Sequence, residues 1–257
     1  MNKTITTAIL LLIITISGCR KKDSKPESPT APSPVSIIMA SLIPDTITTW
    51  DFNMLTSTSH PVSLYENYFL TRSTTIIQAY SSATKNEGDL WVNNTPIPYT
   101  GLTYFLQTDS NIASAGFTGV YNYYTFTTKG SFPSFQNYLY SPATTDLVFT
   151  GLINNNINST DGFTLTWTPD SRIPKDEGVV VLYAVDPNNT SVYASSAIVV
   201  KDADGSLTIS AGELSKFRDY FTLDVFYGRG YSTLQTVSGK KIDYTFINFS
   251  WASLLFD

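Results

Sequence analysis

The run KDADGSLTISAGEL, Lys201 to Leu214, sets two aspartates, a glycine and a glutamate close together, the oxygen-rich spacing from which calcium loops are built. In the helix–loop–helix form of such a loop the obligatory glycine is the sixth residue. Gly205 would fill that place, with Asp204 and Asp202 fifth and third. The first position then falls on Val200, which has no side-chain oxygen. The last falls on Ala211, where a bidentate carboxylate is needed, and Glu213 comes two residues late. Glu213 fits a different chemistry. Ser210-Ala211-Gly212-Glu213 has the S-x-x-E form of a capping box, which predicts a short helix through ELSKFRDY with Leu214, Phe217 and Phe221 toward a core. The preceding DADG reads as a hairpin turn. A weak surface Ca²⁺ site at Asp202 and Asp204, exposed together by that turn, is the alternative.

Nucleophilic triads need an imidazole, and the single histidine is His60. It precedes Pro61 and so favours extended backbone, in a loop and without a catalytic role. One histidine and one cysteine cannot supply a zinc site. The carboxylate pairs Asp176–Glu177 and Asp202/Asp204 fall in turn-like stretches and are expected to be solvated. There is no phosphate loop, dinucleotide fingerprint or G-x-S-x-G elbow, so no cofactor is expected. Gly228-Arg229-Gly230 reads as a bulge or turn at a strand end.

The chemistry that remains belongs to rings. The chain carries 16 tyrosines and 15 phenylalanines. Trp91, Tyr99, Tyr104, Tyr121, Tyr123 and Tyr124 cluster in the first half, with Tyr138 and Tyr140 after them. In YNYYTF successive side chains leave opposite faces of a strand, so at least one tyrosine points away from the core. Trp91, Tyr121, Tyr123 and Tyr124 are the candidate ligand contacts, since exposed rings flanked by Asn and Thr suit stacking on sugars or partner surfaces. The alternative is that they fill the core.

These residues must be positioned by strands. Charged residues make up only 14% of the chain, and Thr, Ser, Tyr and Phe are abundant. STTIIQAYS (73–81), DLWV (89–92), GVYNYYTFTT (119–128) and DLVFTGLI (146–153) are β-branched and aromatic, separated by turn-forming clusters. The Asn93-Asn94 pair after Val92 predicts a tight hairpin. In GFTLTWTP, Phe163, Leu165 and Trp167 alternate with threonines. EGVVVLYAVD reads as a central strand covered on both sides. In YFTLDVFYG, Phe221, Leu223, Val225 and Tyr227 share a face, and KKIDYTFINFSWASLLF closes the chain as one long or two short strands. The expectation is all-β: two immunoglobulin-like β-sandwich domains, 45–157 and 158–257, with one short helix in the second. GFTLTWTP followed by GVVVLYAV resembles the B and C strands of immunoglobulin-like and fibronectin-III-like modules, without their cysteine pair.

The amino terminus, MNKTITTAILLLIITISGC, has a positive start, an apolar run too short to span a bilayer, and small residues before Cys19. ISGC resembles the lipobox of bacterial lipoproteins. That resemblance implies a signal peptide over 1–18 and acyl chains on Cys19. The Pro- and Ser-rich residues 19–44 then read as a flexible tether. The whole pattern is similar in style to Bacteroidetes envelope lipoproteins, which implies attachment to the cell outer membrane, leaflet undetermined. Five of the 16 basic and two of the 21 acidic residues precede Ser36, leaving 11 against 19 and a net −8, which excludes nucleic-acid binding by phosphate neutralisation. The expected role is non-enzymatic binding or scaffolding, with a polysaccharide or an envelope protein as partner. A glycan-capture module and an adhesin or structural subunit are the named alternatives, and a glycoside hydrolase comes last.

Overall fold

The computed structural model describes residues 31–43, 50–62, 73–82, 85–109, 117–158, 160–186 and 188–257. The expected signal peptide, Cys19 and most of the expected tether lie outside them. The fold is all-β and sandwich-like, with 58% of the described residues in strands.

Its spine is a hairpin of two long strands, β14 (Thr222–Val237) and β15 (Lys240–Phe256). Their two-residue turn is Ser238-Gly239, both at positive φ (50° and 80°), the handedness that matches strand twist. Strands from both halves of the sequence add to this hairpin. β11 (Gly178–Asp186) and β12 (Asn189–Val200) extend it on the β14 side. β1 (Phe52–Pro61), β2 (Thr74–Ser81) and β5 (Tyr104–Asp109) extend it on the β15 side, with β1 running parallel to β15. The short β9 (Asn156–Ile157) also pairs with β15, making eight strands. Strands from either side of residue 157 therefore share one sheet. The full lengths of β14 and β15 are hydrogen-bonded, so no boundary crosses the sheet where the sequence suggests a division.

Two smaller sheets cover one face of this large sheet. β3 (Gly88–Val92), β4 (Thr95–Ile97), β6 (Val120–Thr128) and β7 (Phe135–Ser141) form the first, in the order β4-β3-β6-β7. β8 (Val148–Thr150), β10 (Phe163–Thr166) and β13 (Ser206–Ile209) form the second, in the order β13-β10-β8. Alternation along β15 decides what each end buries. Ile242, Tyr244 and Phe246 join Phe52, Tyr124 and Phe126 in a core beneath the four-stranded sheet. Leu254, on the same face, joins Phe163, Leu165, Trp167, Val225 and Leu223 beneath the three-stranded sheet. Between them the same face carries Asn248 and Ser250, both buried and polar.

The opposite face of the large sheet packs against α1 (Pro34–Leu42). Ser33 caps this helix and a proline begins it, as helix starts prefer. Ile38 and Leu42 are buried against Val179, Val181, Phe226, Ile247 and Phe249. Residues 34–42 of the expected flexible tether are thus a docked helix. Four prolines hide the short apolar stripe VSIIMASL behind them. Gly228 makes the docking possible: a Cβ there would lie 2.7 Å from Ile38 Cγ2. Gly228-Arg229-Gly230 accordingly sits mid-strand in β14 and not at a turn. Gly230 is required as well, since its Cβ would meet Phe246 O at 2.3 Å.

Several local expectations hold. Asn93 and Asn94 both take positive φ (50° and 64°) and join β3 to β4. β11 is buried on both faces, through Val179 and Val181 on one side and Val180, Leu182 and Ala184 on the other. The capping box forms in full. Ser210 Oγ accepts from Glu213 N–H (3.2 Å), and the Ser210 N–H donates to Glu213 Oε2 (2.7 Å). The helix it starts is only α2 (Ala211–Leu214) with one following 3₁₀ turn. Leu214 and Phe217 reach the core, while Phe221 lies 71% exposed, one residue before β14 begins.

Candidate functional site

Two groups of side chains stand apart from plain packing: a ring-bearing outer face and a buried ionic waist.

The outer face belongs to the four-stranded sheet. Alternation along β6 sends Tyr124 and Phe126 inward and Tyr121, Tyr123, Thr125 and Thr127 outward. Tyr124 is fully buried, its hydroxyl 3.2 Å from Thr56 Oγ1, so its expected ligand contact is ruled out by packing. The other three candidates do share one face. Trp91 stands opposite Thr125, and Tyr123 opposite Tyr138. Trp91 is 38%, Tyr121 49% and Tyr138 65% exposed. Tyr121 and Tyr138 stack on each other at 5.0 Å and 17°, and Tyr121 also leans on the buried Tyr140 ring at 5.2 Å. In the sequence Tyr138 is one aromatic among many. Its place opposite Tyr123 needed the β6–β7 register.

Beside Trp91 the face dips into a shallow groove of about 590 Å³, lined by Trp91, Asn94, Thr125, Thr127, Ser134 and Gln136 over Phe126 and Phe135. No charged side chain lines it. The side chains of Asn94, Thr125, Thr127 and Gln136 make no hydrogen bond to other described residues, so their donors and acceptors face water. At the end of the face Asp89 and Lys129 neutralise each other at 2.6 Å.

The waist lies between the two cores. Arg229 is buried on β14, and its Nη2 donates to Thr168 O (2.7 Å) and lies 3.4 Å from Asp202 Oδ1. Tyr227 also donates to Asp202 Oδ1, and the Asp170 N–H donates to Oδ2 at 2.5 Å. The Trp167 ring stacks on Tyr227 at 4.4 Å and donates its N–H to Asp202 O. Asp170 in turn accepts from Tyr140 (2.5 Å) and from the Ala143 N–H (2.8 Å). Burial works against its charge, but these donors and Arg172 hold its carboxyl below the usual carboxylate range. Burial first, and then the carboxylates they serve, push the phenols of Tyr140 and Tyr227 far up, so both remain donors. Asn248 and Ser250 complete the waist by donating to Pro142 O and Thr145 O on the segment that crosses it.

This arrangement corrects the calcium alternative. Asp202 is buried, not exposed beside Asp204, and both its oxygens are taken by Arg229, Tyr227 and a backbone N–H. DADG is a 3₁₀ turn ending on left-handed Gly205. It carries the chain from β12 in the large sheet to β13 in the small one, so it is no hairpin turn. Asp176, of the other carboxylate pair, accepts from the Ala203 N–H at 2.7 Å and ties down that turn.

His60 lies in β1 and not in a loop. Its Nδ1 is 2.7 Å from Ser73 Oγ and its Nε2 3.0 Å from Asp146 Oδ1. The three residue types match a hydrolytic triad. However, the Asp146 side chain is 86% exposed, so water screens the charge that would have to orient and polarise the imidazole. The group ties the ends of β1 and β2 to the segment before β8. Among the described residues no three His, Cys, Asp or Glu side chains converge as a metal site.

The fold and its exposed face thus define an all-β, sandwich-type protein with a ring-bearing sheet surface. No protein-family model matches the chain, and no curated protein aligns with it significantly.

Proposed function

We propose that the protein is a lipid-anchored envelope protein with a non-catalytic binding role. The ligand contact is the outer face of the four-stranded sheet, and the ligand class is carbohydrate. One observation carries the reading: Trp91, Tyr121, Tyr123 and Tyr138 lie exposed on one rigid face, beside a groove walled by uncharged amides and hydroxyls. Aromatic faces bind the apolar side of a sugar ring, and amides and hydroxyls match its hydroxyl groups.

The layer order supports the anchor half of the reading. α1, the described element nearest to Cys19 in sequence, packs on the far face of the large sheet. The ring-bearing face looks away on the other side of the four-stranded sheet. A chain tethered through α1 would therefore turn its aromatic face away from the bilayer. None of the described helices is long and apolar enough to cross a membrane.

Retention of the full-length protein, solubilised in detergent, on insoluble polysaccharides tests the proposal. Retention that falls at least tenfold in Trp91→Ala and Tyr138→Ala supports it. Absence of retention on every polysaccharide refutes the ligand class.

A second reading rests on β12, which closes one end of the large sheet. Asn189–Val200 has neither a charge nor a proline, and Val192, Tyr193 and Val199 are exposed. Such an edge suits pairing with another strand, the property of a structural subunit. Lys216 Nζ, 3.5 Å from Ser195 O, places one charge against it. Sedimentation of the full-length protein decides: concentration-dependent self-association favours the subunit reading, and a monomer removes it.

A further inference from the structure

Resting on the carbohydrate reading above, we infer that the aromatic face takes a neutral, extended oligosaccharide, lying from the Tyr121–Tyr138 pair to the groove beside Trp91. Three observations carry this: extent, division of chemistry, and charge.

Trp91 pairs with Thr125, four residues along β6 from Tyr121, which puts ~14 Å between the two ends at the usual rise per residue. That span exceeds one sugar ring, so a monosaccharide would touch one end only. The face is also divided. Tyr121, Tyr123 and Tyr138 make one end apolar and ring-rich. Thr125, Thr127, Ser134, Gln136 and Asn94 make the other end polar around the Trp91 ring. A chain of sugars offers both surfaces in repetition, an apolar face and a rim of hydroxyls. The two amides present donors and acceptors together, and the threonine hydroxyls can do either. A mixed hydroxyl rim needs just this ambivalence.

Charge selects the class of glycan. The groove has no cation to receive a uronate or sulfate; Lys129 is matched by Asp89 at 2.6 Å, and Arg172, which lies over Tyr140 beside the Tyr121 end, is paired with the buried Asp170 at 3.5 Å. The chain as a whole carries −5, which repels polyanions at long range. An acidic polysaccharide would lose solvation on this surface and gain no counter-charge.

The test uses the full-length protein in detergent and native affinity electrophoresis in gels that contain a soluble neutral glucan or xylan, or a polyuronate. A length series of neutral oligosaccharides follows by calorimetry. The expected result is retardation by a neutral glycan, little by polyuronate, no detectable binding of the monosaccharide, and affinity that rises with chain length. Gln136→Ala and Trp91→Ala should each weaken binding about tenfold while strand content by circular dichroism stays near the parent's. Retardation by polyuronate alone would overturn the inference and leave a carbohydrate-binding face. So would full affinity for a monosaccharide, or neutral binding indifferent to both substitutions. Retardation by no glycan would overturn this inference and the reading beneath it together.

Discussion

Replacing Arg229 by methionine should be among the most damaging single changes in the chain. The side chain is buried at the waist, where it serves Thr168 O and Asp202 and stacks over Tyr227 at 5.2 Å. Methionine fills most of the volume but leaves the Asp202 carboxylate buried without its cation. Breaking a buried pair by removing one partner costs about 3–5 kcal/mol. The Tyr227 hydroxyl and the Asp170 N–H still donate to that carboxylate, which places the loss near the lower end, about 3 kcal/mol. Against a total stability of about 5–15 kcal/mol this is a large fraction. Denaturation in urea followed by tryptophan fluorescence suits the measurement, because Trp167 stacks on Tyr227 within the waist. At a slope of about 2–3 kcal/mol per molar, the midpoint should fall by ~1 M. The double variant Arg229→Met/Asp202→Asn should recover more than 1 kcal/mol, since the amide carries no buried charge. A loss below about 1 kcal/mol in the single variant, or a double variant that loses the sum, would refute a dry, coupled pair. Arg229 Nη1 is buried without a partner among the described residues, so a bridging water there would be the first alternative to test.

Gly228→Ala would drive a Cβ into Ile38 and lift α1 from the sheet. Limited proteolysis should then cut within residues 34–42 at protein concentrations that leave the parent intact, and equal resistance would argue against the docked helix. Asp224→Asn should change stability in a pH-dependent way. Burial holds this carboxyl above the usual carboxylate range despite the donated Ser253 hydroxyl. A carboxylate whose folded pKa exceeds its unfolded value favours folding most when protonated, and stability falls as pH rises from the unfolded toward the folded pKa. The asparagine variant should therefore gain melting temperature over the parent at pH 7 and match it near pH 3. A gain that is the same at both pH values would refute the linkage.

The strands were legible because side-chain period and turn chemistry are local. The threonine–apolar alternation of Phe163 to Thr166, the Asn93-Asn94 turn and the Ser210–Glu213 box all act within a few residues, and each appears as expected. What was not legible depends on contacts far apart in sequence. Asp202 looked like an exposed turn aspartate because its partners, Tyr227 and Arg229, arrive with a strand 25 residues away in the chain. Gly228 and Gly230 looked like turn punctuation because the helix and the strand that crowd them come from residues 38 and 246. The division near residue 157 followed turn-rich composition. It could not foresee that β1, from the first half, would lie parallel beside β15, from the second. On the aromatic face, alternation alone placed Tyr121 and Tyr123 together. Only register brought Tyr138 and Trp91 to them.

The same long-range pairing explains why this fold leaves only certain surfaces free for rings. The central strands of the large sheet pack against α1 on one face and the small sheets on the other, so aromatics there, such as Tyr227, Tyr231 and Tyr244, are consumed in packing, while Tyr193 on the edge strand β12 stays exposed. A small covering sheet has one face in the core and one in water. In β6 the buried half of the alternation satisfies the core with Tyr124 and Phe126, which leaves Tyr121 and Tyr123 on the outer face, where Tyr121 packs only on the neighbouring rings of Tyr138 and Tyr140. Rings exposed on water cost solvation, and their clustering with Tyr138 and Trp91 on one face is not needed for folding. If that face only covered the core, truncating all four to threonine would leave retention on polysaccharide unchanged, because threonine keeps strand propensity. If it binds a ligand, the fourfold variant should fold with near-parental strand content by circular dichroism and lose retention on polysaccharide altogether. A folded variant that still binds would move the site off this sheet, and with it the proposed function.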